Sequence, residues 1–273
     1  MSDEDSFLLG QEQRASILRH QILPGAELEL LQSHRHPSAT LVVSRPGASA
    51  HGLVHLALRE LQFDGLSISD EALVEYHPHI AALRAKHPYT WSDLVRGEAL
   101  QWANALQAHG MEHRLNLVID MPTEVAQLER RVRDLFRHGY RVEIRFQALH
   151  RLEGSLAMSQ RFSRGFEAAG CGRYVVPALS EAFDAQVPAV LDSIYAEPRI
   201  TIQLLDWKGK ALYDSRTNGR LPSKALSIAQ DQRMKDPANT KGVRDGWATQ
   251  AQWEHDLPQL MDRMMCTDGP EAD

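Results

Sequence analysis

The chain has 273 residues, 43% of them apolar and 24% charged, a balance that suits a globular protein with one large domain or two small ones. Its formal net charge of −6 speaks against a broad nucleic-acid surface, and no run approaches the ~18 apolar residues of a membrane span. The acidic opening MSDEDSFLLGQEQ lacks the order of a signal peptide, so a cytoplasmic location is expected, with neither membrane nor nucleic acid as a partner.

Residues 7–32 read as helical, with a restart after Pro24-Gly25. ATLVVS, from Ala39, is a short apolar strand, and AHGLVHLALRELQ after it has helical spacing. FDGLSIS is a second strand, and DEALVEYHPHIAALRAKHP reads as helical turns broken at Pro78. SDLVRGEALQWANALQAHGMEHR is an amphipathic helix for which Ser92-Asp93 offers an N-cap. LNLVID, TEVAQLERRVRDLFRHG and YRVEIRFQAL give strand, helix and strand, the helix closing at Gly139. Two more helices follow, EGSLAMSQRFSRGFEAAG and a segment kinked at Pro188; RITIQLLDWKGKALYDS then reads as a hairpin about Lys208-Gly209. Beyond it Gly, Pro, Lys and Asn increase, AQWEHDLPQLMDRMM suggests a terminal helix, and CTDGPEAD suggests a loose tail. Strands alternating with helices predict a parallel α/β sheet, with ligands at the carboxyl ends of its strands.

The stretch SRPGASAHGL sits between the first strand and its helix, where phosphate-binding loops lie. A phosphate loop wants two glycines, a lysine and a magnesium-binding hydroxyl. Ser44, Ser49, Ala50 and His51 hold those four places, while Pro46, Gly47 and Ala48 fit a turn. The stretch reads either as an anion cradle built from backbone N–H groups or as a plain turn.

The order of segments resembles the zeta toxin family, phosphate-loop kinases of toxin–antitoxin systems. The likeness covers roughly residues 35–216 and is carried by HPSATLVVSRPGASAHGL, LSISDEALVEYHPHIAAL, NLVIDMP, HGYRVEIRFQAL, QRFSRGFEAAGCGRYVVP and LLDWKGKALYDS. It implies a P-loop-kinase-like parallel sheet covered by helices on both faces, with a C-terminal hairpin. Residues 1–34 would be an N-terminal helical segment and residues 217–273 a C-terminal helical extension and tail. It also implies ATP-dependent phosphorylation of a nucleotide sugar such as UDP-N-acetylglucosamine.

The same resemblance places the catalytic acid on Glu71, which could equally serve a helix N-terminus, and lid arginines at Arg161 and Arg173. Asp70 and Asp120 fall on the substrate side. Arg45 and Arg164 lie near enough in sequence to assist. Arg45, Pro46, Gly47, Ala48, Ser49, Ala50 and His51 become a vestigial nucleotide loop with a degenerate lysine motif. Glu124 replaces an arginine used for substrate, and a carboxylate there repels a diphosphate. The histidine clusters at 34–36 and 77–79 lack the four-residue spacing of a helical zinc pair, and Cys171 and Cys266 match no zinc spacing, so no metal site is expected.

Three functional expectations follow. The first is a pseudokinase that binds a protein partner, antitoxin-like or other, or a nucleotide-like ligand. The second is an active kinase using Mg-ATP, in which Arg45 or Arg161 replaces the lysine and Glu71 is the base. The third is an interaction module of a mobile element or secretion system, with the fold as scaffold.

Overall fold

The computed structural model describes residues 7–121, 125–197 and 199–267. The expected reversal of charge at Glu124, with Pro122 and Thr123, lies outside these residues. In chain order, α1 (Gln11–Ile17) passes through a wider π-type stretch, Leu18–Ile22, into α2 (Leu23–Gly25) and a 3₁₀ turn, Leu28–Leu30. Then come β1 (Ser38–Val43), α3 (His51–Glu60), β2 (Leu66–Ser69), α4 (Asp70–Leu73), α5 (Ile80–Lys86), α6 (Trp91–Glu112) and β3 (Leu117–Met121). The second half supplies α7 (Val125–Arg137), β4 (Arg141–Gln147), α8 (Arg151–Ala169), α9 (Pro177–Tyr195), β5 (Ile200–Leu205), β6 (Ala211–Asp214), α10 (Pro222–Lys235) and α11 (Pro237–Thr267).

The six strands form one sheet in the order β2-β3-β1-β4-β5-β6, parallel except for the β5–β6 hairpin. A strand's side chains alternate between faces, so an unbroken apolar strand must be covered on both. β1 shows this division. Ala39, Leu41 and Val43 join the larger core, whereas Val42 packs with Leu53, Val54 and Ala57 of α3, with Val118 and with Leu205. β3 divides likewise, Leu117 and Ile119 to one face and Val118 to the other.

Several local readings shift. β2 begins only at Leu66, because Gln62 and Phe63 adopt left-handed backbone (φ 54° and 62°) in the turn before it. The N-cap of α6 is Thr90, without a side-chain cap bond, and Ser92 is buried in the first turn. Gly139 and Gly170 end α7 and α8 in the left-handed conformation that glycine adopts without strain. The region after residue 216 is mostly two helices, each started by a proline at a position where a missing N–H costs nothing.

Helix α6 supports the sheet edge from which β2 and β3 deliver the site. Its Gly110 lets the helix lie close, since a Cβ there would meet Leu117 Cδ2 at 2.7 Å and Leu66 Cδ2 at 2.9 Å. Exposed Gly97, in the same helix, has open space around its Cβ position. Helix propensity favours alanine over glycine by up to about 1 kcal/mol, but overpacking a core costs about 1–3 kcal/mol. In urea unfolding, Gly97→Ala should therefore stabilise the protein and Gly110→Ala should destabilise it. Equal effects would show that α6 is not in tight contact with the sheet at Gly110.

Candidate active site

The loop from Ser44 to Ala50 leaves β1 at the carboxyl edge of the sheet. Arg45-Pro46-Gly47-Ala48 is a β-turn closed by the Ala48 amide donating to the Arg45 carbonyl at 2.9 Å. Gly47 has φ +78°, which fits the proline-then-glycine order of a type II turn. The Ser44 hydroxyl donates to the Ala48 carbonyl at 3.2 Å, and the Gln147 amide donates to the Ser49 carbonyl at 3.3 Å.

The loop is covered. Ser44, Arg45, Ala48 and Ala50 are buried, while Ser49 and His51 are exposed. A Cβ on Gly47 would meet Met158 Cγ of α8 at 2.6 Å, so α8 rests on the turn. Arg45 turns away from the loop mouth. Its Nη2 pairs with Asp184 Oδ2 of α9 at 2.7 Å and its Nη1 donates to Ser155 Oγ at 2.9 Å and to the Arg151 carbonyl. Gly154 makes room for it, since a Cβ there would sit 2.6 Å from Arg45 Cδ. Arg45 is thus a strut joining loop, α8 and α9, contrary to the expectation of a cation free for phosphate. Burial lowers its pKa against the opposing charge of Asp184.

Glu71, Arg161 and Arg173 do meet. Glu71 lies in α4, directly after β2; Arg161 is on α8; Arg173 is in the segment leading to α9. Arg161 pairs with Glu71 Oε1, and Arg173 Nη1 lies 3.0 Å from Glu71 Oε2. Burial, then the neighbouring Arg173, lowers the Arg161 pKa. A carboxylate holding two guanidinium groups is poorly placed to accept a proton.

Asp70 and Asp120 stand beside this cluster. Parallel register sets Ser69 of β2 against Asp120 of β3 and Val42 of β1 against Asp120 as well. Each aspartate has a buried Oδ1 without a hydrogen-bond partner. Burial raises the Asp70 pKa, against Arg173, Arg96 and Arg131. Burial, and then the Asp70 charge, raises Asp120 to about 7, with Arg173 opposing.

Between the loop, α8, the β5–β6 hairpin and the C-terminal helices lies a groove of about 780 Å³. Ser49, Arg161, Arg164, Trp207 and Arg233 line it. Arg233 is paired with Glu153 at 2.5 Å, and Glu153 also accepts from the His150 amide at the start of α8. Arg164 is exposed and, among the described residues, has no ion pair. Sequence reading missed Arg233, because nothing local marks which side chains α10 brings to α8, and Trp207, which reads from the sequence as a core or hairpin anchor, is exposed at the groove. It also missed a cluster elsewhere, His109, Glu112 and His113, although a four-residue histidine spacing was there to be found.

Asp120 carries a pH signature. The fold holds its proton from the ordinary value of 3.8 up to about 7, whereas the unfolded chain releases it near 3.8. The native state thus binds more protons in that window, and stability falls as pH rises through it. Asp120→Asn should flatten this slope in urea unfolding between about pH 4 and pH 7. An unchanged slope would contradict the coupling of Asp120 to its surroundings.

The zeta toxin family model matches residues 26–218. No curated protein sequence matches the chain. Among solved structures, a chain from the PezAT chromosomal toxin–antitoxin system of Streptococcus pneumoniae superposes with a TM-score of 0.73 at 15% identity, covering 88% of this chain and 98% of that one. A chain of the native AvrRxo1-ORF1:-ORF2 complex gives a TM-score of 0.42 at 16% identity over 73% of this chain and 62% of its own. Among the described residues no helix is long and apolar enough to cross a membrane. With the family model spanning most of its length and a parallel sheet superposing on a toxin–antitoxin chain, the protein belongs to the zeta toxin family.

Proposed function

We propose that this protein is a zeta-toxin-family pseudokinase, which binds a nucleotide-like anion and a protein partner without efficient phosphoryl transfer. The observation that carries the reading is the state of the cations around the loop. Buried Ala50 stands where the family places a lysine, Arg45 is engaged by Asp184, and Arg161 and Arg173 are engaged by Glu71. Phosphoryl transfer depends on cations and magnesium neutralising the moving phosphoryl group. Magnesium prefers oxygen ligands, and at the place of the family's hydroxyl stands the imidazole of His51. The residues present do not fit Mg-ATP.

The groove beside the loop suits an anionic ligand without metal. Arg164 offers an exposed cation there and Trp207 an exposed ring for a base to stack on. We read residues 35–216 as the kinase-fold domain, after an N-terminal segment 1–34, and the extension 217–273 as the part that closes the groove through Arg233, Asn239 and Val243. A partner surface adjoins the site. Tyr174, Val176 and Leu179 are exposed just after Arg173, which supports docking of a protein over the site, as in a toxin–antitoxin pair.

Thermal-shift titration with ADP, UDP-N-acetylglucosamine and ATP, each with and without magnesium, tests the reading. A ligand at a hundred times its Kd stabilises by about 2.7 kcal/mol. The expected result is a shift that does not depend on magnesium and is lost in Arg164→Ala. A shift seen with ATP alone, and only with magnesium, would favour the active kinase. No shift with any of the three would remove the nucleotide part of the proposal.

A further inference from the structure

The last turn of α6 and its C-cap read His109-Gly110-Met111-Glu112-His113. Residues three and four apart share a helix face, so both imidazoles and the carboxylate project to the same side. Ligand atoms from His109, Glu112 and His113 all lie within 4.8 Å of one another. The two rings are 4.2 Å apart between centroids, tilted by 59°. We propose that these three side chains form a binding site for a divalent transition metal of the zinc class.

Three kinds of chemistry converge here. Two histidines one helical turn apart, with a glutamate, are a donor set for zinc. Zinc–ligand bonds of about 2.0–2.2 Å put neighbouring ligand atoms a little over 3 Å apart, so side-chain rotation alone closes the observed spacing. The helix also ends at this turn, and the negative end of its dipole favours a cation. The adjacent cation is held elsewhere. Arg114 donates from Nε to the His34 carbonyl at 3.0 Å and from Nη2 to the Arg35 carbonyl.

The surroundings leave room for the ion. A groove of about 510 Å³, bounded by Glu29 and Ser33 on one side, opens onto all three ligands. His113 and Glu112 are exposed, and His109 is half-buried. The cluster stands next to the start of β3, at the amino edge of the sheet and away from Glu71 and the loop. It is therefore independent of the nucleotide reading.

The full-length chain, stripped with a chelator, is titrated with zinc against a chromophoric competitor. About one equivalent should bind to the wild type. His113→Ala and His109→Ala should each weaken binding by more than the roughly 10–100-fold that loss of an outer-shell partner costs. Magnesium, which prefers oxygen, should not compete. Unchanged melting of the metal-free His113→Ala protein, whose substitution is at an exposed position, shows that its fold is kept. A wild type that takes up no zinc, or two variants that bind zinc as the wild type does, would overturn the proposal.

Discussion

Three carboxylates are brought to one edge of the sheet by strand register, and the site is organised around neutralising them. β2 and β3 run parallel with Ser69 against Asp120, so Asp70, Glu71 and Asp120 emerge side by side. Carboxylates so placed repel one another and lose solvation, which a fold tolerates only with cations or protons. Arg161 and Arg173 close on Glu71, while Asp120 retains a proton up to about pH 7. Helix α8 and the segment before α9 are thereby tied to the end of β2.

The position of α8 follows from several contacts that agree. Its Met158 rests on the Gly47 turn, and its Gly154 admits Arg45 beneath it. On its other side α11 holds it, with Trp253 edge-on to Phe162 and Phe166 and with Gln250 accepting from Ser163. Gly246 of α11 lies so close that a Cβ would meet Leu156 at 2.5 Å. Helix α8 is thus packed from both sides. The covered loop and the engaged arginines are two consequences of this one arrangement.

Much of the fold is legible in the chain. ATLVVS and LNLVID are apolar throughout because both faces of β1 and β3 are covered, and that pattern needs no knowledge of the partners. The meeting of Glu71, Arg161 and Arg173 was reachable only through resemblance, since residues so far apart in sequence carry no local sign of contact. The fate of Arg45 was not legible: its direction depends on Asp184 and on the space left by Gly154, both distant in sequence. The start of α6 lies at Thr90 and not at Ser92-Asp93, because Ser92 is buried within the first turn, and no local pattern marks that burial. By contrast, the four-residue spacing of His109 and His113 is legible in the sequence itself, because a helix turns such spacing into a shared face.

The proposal at stake is that Glu71, already holding Arg161 and Arg173, and a loop without a lysine do not carry out phosphoryl transfer. The most direct measurement is transfer of label from γ-labelled ATP, with magnesium, to UDP-N-acetylglucosamine by the full-length chain. The account predicts no labelled sugar above the protein-free background, with wild type and Glu71→Gln alike. Labelled sugar formed by the wild type and lost in Glu71→Gln would contradict it.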